Sequence, residues 1–167
     1  MSVRLAAYPD LPRILSVYEA ARSYMRADGN PDQWGYVYPP CELIEEDISK
    51  GRLWVIEDSD LPKNEKNIVG VFAFFPEGDP IYNNIEGNWL NDLPHAAIHR
   101  VASSGERRGI LGECISFCLS RSRNLKIDTH RSNLTMRSAL KKQGFSLCGQ
   151  IFLENGEERL AYQRYEE

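Results

Sequence analysis

The chain has 167 residues, 42% of them hydrophobic and 26% charged, enough for one domain with a buried core, and its apolar runs are too short to span a bilayer. A net charge of −4 argues against nucleic acid as the main partner, because phosphate backbones are bound through an excess of Lys and Arg. The start "MSVRLAAYPD" has no apolar signal segment, so a cytoplasmic location without membrane association is expected.

In chain order, "SVRLAAY" alternates at strand period. Asp10 is placed to cap a helix over "LPRILSVYEAARSYM", where Ile14, Tyr18, Ala21 and Met25 form one stripe. A Gly/Pro/Asn loop with aromatics, "ADGNPDQWGYVYPP", precedes a short acidic helix in "CELIEEDISKG". "RLWVIED" and "IVGVFAFF" read as strands on either side of the polar linker "SDLPKNEKN". A long loop, "PEGDPIYNNIEGNWLNDLP", leads to the strand "HAAIHRVASS" and the helix "GILGECISFCLSR". Cys114 and Cys118 lie one turn apart on that helix. The pair reads as small apolar residues on its buried seam, with a metal pair as the lesser alternative. The strand "LKIDTH" is followed by the helix "SNLTMRSALKKQG", stopped by Gly144. A hairpin with a two-residue turn at Asn155-Gly156 ends the chain. This order predicts a mixed α/β fold in a single domain over residues 1–167, with no repeats and no linker between domains.

The junction "VASSGERRGILG" joins a strand to a helix through a glycine-containing turn. The first N–H groups of a helix lack intrahelical partners and carry the positive end of its dipole, so such a turn suits an anion. The alternative is a surface turn with solvated arginines. A P-loop is excluded because the stretch has no lysine, and a dinucleotide fingerprint because the glycine spacing is wrong.

Together with "IDTHRSNLTMRSALKKQGF" and the order of elements, this stretch resembles the two central motifs of the Gcn5-related N-acetyltransferases, or GNAT family, over nearly the whole chain. The resemblance implies an acyl-CoA N-acyltransferase fold: a central, mostly antiparallel twisted sheet flanked by helices. It implies acetyl-coenzyme A as cosubstrate. The pyrophosphate would be bound by the backbone of Arg107, Arg108, Gly109, Ile110, Leu111 and Gly112. The strand Val101, Ala102 and Ser103 would pair with the pantetheine arm. Asn133 falls on the family's asparagine, with helix capping as its other reading, and Met136 would line the thioester end. Glu106 and Leu111 depart from the family pattern, and Leu140 stands where many members carry a tyrosine acid.

Acyl transfer to an amine needs a base. His95, Ala97, His99 and Val101 share a strand face if no bulge intervenes. His99 and His95 are therefore the candidate bases, against the alternatives of a core histidine and a solvated strand end. Trp34 and Tyr38 are candidate pocket walls. Glu77, Asp79, Glu86 and Asp92 form an acidic loop that would guide a cationic amine, or is an ordinary solvated loop, and His130, a third candidate base, either meets substrate or orients the loop before Asn133. Two functions follow: N-acetyl transfer from acetyl-coenzyme A to a small-molecule or peptide amine, or acyl-coenzyme A binding without turnover. The resemblance also admits a homodimer through the terminal hairpin.

Overall fold

The computed structural model describes residues 1–62 and 67–167. The middle of the linker "SDLPKNEKN" lies outside the described residues. The strands are β1 (Ser2–Leu5), β2 (Leu53–Glu57), β3 (Ile68–Phe75), β4 (Glu86–Gly87), β5 (Ala96–Ser103), β6 (Asn124–Thr129), β7 (Ser146–Phe152) and β8 (Glu158–Tyr165). The helices are α1 (Leu11–Ala27), α2 (Cys41–Ser49), α3 (Ile110–Leu119) and α4 (Leu134–Lys142). All the strands join one sheet in the order β1-β2-β3-β5-β6-β8-β7-β4. Every pairing is antiparallel except β5 with β6.

Both faces of the sheet are covered, which is why β3 is apolar throughout rather than alternating. On one face Ile14, Val17, Tyr18 and Ala21 of α1 and Ile44 and Ile48 of α2 pack on Leu53, Val55, Val71 and Ala73. On the other, Ile110, Cys114, Ile115 and Cys118 of α3 and Leu140 of α4 pack on Ile56, Phe72, Ile98, Leu125 and Ile127. The cysteine pair of α3 is thus core, fully buried. Gly70 of β3 lets α3 close in: a Cβ there would stand 2.6 Å from Ile110.

Two local expectations change. Asp10 makes no side-chain bond to the start of α1; its carboxylate instead accepts from Ala7 N–H and pairs with Arg4. The final hairpin forms, but its turn is wider than two residues. Leu153 N–H donates to the Glu157 carbonyl and Gly156 N–H to the Leu153 carbonyl, with Gly156 left-handed at φ 86°. Asn155 Oδ1 accepts from Glu157 N–H, which favours this wider loop.

Candidate active site

β5 and β6 pair only at Ala96–Leu125 and Ala97–Lys126. Beyond that point β5 continues to Ser103, bonded to β3 on one side, with no strand on the other among the described residues. A cavity of about 630 Å³ occupies the split. Ile98, His99, Arg100 and Val101 of β5 line one wall and Ile127, Asp128 and Thr129 of β6 the other.

A bulge shapes this wall. The β3–β5 register shifts between Val71 and Ala73, and Arg100 has φ +53°. A bulge inserts a residue and reverses the alternation beyond it. His95, Ala97 and His99 share a face as expected, but Val101 does not: it packs with Ile98 on the α3 side. His99 and Arg100 instead point the same way, both against the Phe75 ring.

At the end of β5 the chain turns through Gly105 and Gly109, both left-handed at φ 85° and 82°, where glycine has no steric penalty. The N–H groups of Gly105 and Glu106 are taken by the Ser103 and Ser104 hydroxyls. The first bond of α3 runs from Glu113 N–H to the Gly109 carbonyl. The six amides from Arg107 to Gly112 donate to no described residue. They form a run of free donors at a helix start, the arrangement that holds phosphate. Leu111 packs against the α3-side core, which takes its branched chain from the turn. Glu106 accepts from Arg13 of α1 at 2.7 Å, so its charge is paired. Arg107 is bound to Asp58, while Arg108 forms no ion pair with a described residue.

His99 Nε2 lies 2.8 Å from Asp79 Oδ2. The hydrogen bond from His99, outweighing burial, holds the Asp79 carboxyl below the usual carboxylate range. An ionised Asp79 can only accept, so His99 Nε2 is the donor, and in the neutral ring Nδ1 carries the lone pair. Tyr82 stacks on His99 and donates to Asp128 at 2.7 Å. His95 does not line the cavity. Its Nε2 accepts from Asp79 N–H at 3.3 Å, and burial, with Lys126 adding to it, lowers its pKa to about 4. His95 thus braces the Asp79 loop in its neutral form and is not placed as a base.

Trp34, Tyr38 and Met136 line the cavity. Of the acidic loop only Asp79 does; Glu86 sits in β4 and accepts from Gln150 at the sheet edge. His130 is also off the cavity, its Nδ1 accepting from Ser132 N–H. Asn133 caps α4 by accepting from Met136 N–H, and its amide donates to Gln33. Gln33 was not foreseen from sequence. Its Oε1 gathers Asn30, Thr129, His130 N–H and Asn133, tying the aromatic loop to β6 and α4. A polar residue in a turn gives no local sign of such a role.

No protein-family model and no curated protein matches the chain. Solved structures do. An acetyltransferase of the GNAT family from Streptococcus agalactiae 2603 aligns over 99% of this chain and 95% of its own, with TM-score 0.85 and 29% identity. A GNAT-family acetyltransferase from Listeria monocytogenes 4b F2365 aligns over 99% and 94%, with TM-score 0.67 and 20% identity. A ribosomal-protein-alanine N-acetyltransferase from Brucella melitensis has the same fold over 99% and 100%, with TM-score 0.60 and 17% identity. An open, mostly antiparallel sheet flanked by helices, matched over nearly the whole chain, is the fold of the GNAT-family acetyltransferases. The chain is similar to that family in fold and, at 29% identity to the streptococcal acetyltransferase, in sequence.

Proposed function

We propose that this chain transfers an acetyl group from acetyl-coenzyme A to a primary amine. The observation that carries the reading is the unpaired stretch of β5. It runs from His99, in the cavity, to the six free amides of residues 107–112. A free strand edge followed by an anion turn fits a ligand with amides at one end and a pyrophosphate at the other.

Acetyl-coenzyme A supplies a carbonyl activated by a thiol leaving group. The residues 107–112 would hold its pyrophosphate, with Arg108 adding charge, and the free edge at Val101–Ser103 would pair with its arm. The Asn133 side chain is engaged in the α4 cap and with Gln33. His99 Nδ1 takes the proton of the incoming ammonium, and Asp79 fixes the ring and stabilises the imidazolium. Holding both reactants in the split supplies further rate. Leu140 is buried in the core, so no side-chain acid comes from that position. A thiol is a good enough leaving group without one.

Titration calorimetry with acetyl-coenzyme A, followed by thiol release across an amine panel, tests the reading. Heat and turnover are expected, and His99→Ala should lower kcat by about 100-fold with acetyl-coenzyme A binding retained. Absence of heat up to millimolar ligand overturns it. Heat with no thiol release from any amine selects binding without turnover, the reading favoured by the missing tyrosine at Leu140.

A further inference from the structure

We infer that the acceptor is an amino carboxylate, a free amino acid rather than a simple cationic amine, with its carboxylate held by Arg52 and Arg100. This rests on the acetyl-transfer reading above and names its substrate class.

Asp47 of α2 is fully buried. Its carboxylate accepts from Arg100 through Nε at 2.8 Å and Nη2 at 3.0 Å, and from Arg52 Nε at 2.6 Å. One carboxylate thus serves two guanidiniums, leaving a net charge of +1. Glu46, near Arg52 at 3.9 Å, is already paired with Lys50 at 2.7 Å. Burial alone disfavours the Arg100 charge, but Asp47 more than restores it. Both terminal nitrogens of Arg52 are without a hydrogen bond to a described residue, and both arginines line the cavity that holds His99.

Phe75 sets the spacing. Its ring centre lies 5.0 Å from that of His99 in a T-shaped contact, 4.6 Å from the guanidinium carbon of Arg52 and 5.5 Å from that of Arg100. A base and a half-neutralised cationic pair thus flank one aromatic platform. An ammonium at His99 and Asp79 with a carboxylate at Arg52 and Arg100 satisfies both ends. A guanidinium presents the planar fork that a carboxylate fits, and a partly dry wall strengthens the bond. A cationic amine without an acid would leave the excess charge facing it. In the transfer the C–N bond forms as the C–S bond breaks. One ammonium proton leaves through His99, and the second accounts for the thiol released.

The experiment measures thiol release with each α-amino acid and with its carboxamide. Wild type is expected to prefer at least one free acid over its amide by about tenfold or more in kcat/KM, the effect of a charge-assisted hydrogen bond. Arg52→Gln, which leaves Asp47 its bidentate bond to Arg100, should collapse that ratio through KM, and Arg52→Lys should restore part of it. Turnover in which every amide equals or exceeds its acid overturns the inference and leaves acetyl transfer standing. So does a ratio that Arg52→Gln leaves unchanged. No turnover with any amine overturns both.

Discussion

The hydroxyl of Tyr18 in α1 donates to the backbone carbonyl of Arg100 at 2.9 Å. A helix on one face of the sheet therefore props the bulged residue that turns His99 and Arg100 the same way. Burial pushes the phenol well up, so it stays protonated and donating. Tyr18→Phe should leave that carbonyl unpaired and cost about 1–3 kcal/mol, read as a lower urea midpoint. A fall in kcat/KM beyond the loss of folded protein would show that the bond positions the strand as well as stabilising it.

In the proposed reaction, proton transfer rests on the pair Asp79 and His99. Asp79→Asn keeps the shape but removes the charge that stabilises an imidazolium. It should lower kcat by about 10- to 100-fold while leaving acetyl-coenzyme A affinity within a factor of two or so. Steady-state kinetics alongside calorimetry separate the two effects.

His95 makes acid stability informative. Its folded pKa is about 4 against an ordinary 6.5. Between those values the unfolded chain binds the extra proton, so stability rises with pH across the window and is lost as the pH falls from 6.5 towards 4. His95→Gln retains an acceptor for Asp79 N–H but does not titrate. Urea midpoints at pH 4.5 and 7 should differ less in the variant than in wild type.

Glu106 and Arg13 act oppositely on the anion turn. Glu106→Gln removes a negative charge beside the free amides and releases Arg13. Acetyl-coenzyme A affinity should rise by about two- to fivefold at low salt, the scale of an exposed ion pair, and Arg13→Ala should lower it. Calorimetry at two salt concentrations checks both, since screening shrinks each effect.

Much of this molecule is legible one segment at a time. The apolar run of β3, the stripe of Ile14, Tyr18 and Ala21, the place of the final turn (though not its width) and the glycine turn before α3 are patterns within a few residues of each other. Period and local backbone preference encode them directly. The glycine turn reads as suited to an anion from its helix-start position, whereas naming the amides of residues 107–112, and His95 and His99 as bases, draws on the resemblance to the acetyltransferases.

The working arrangement was settled by contacts distant in sequence. Which of four loop acids meets the histidine, and that it is Asp79, depends on a hairpin return of 20 residues. That Asp47 joins Arg100, 53 positions on, depends on α2 docking against the sheet. The role of Gln33 and the early parting of β5 from β6 have no local signature. The bulge at Arg100 is the sharpest case: strand alternation assigns Val101 to the face of His99, whereas the extra residue hands that place to Arg100. Side-chain direction along a strand follows the pairing partner across the ladder, and a shift in that pairing leaves no mark on the residues themselves.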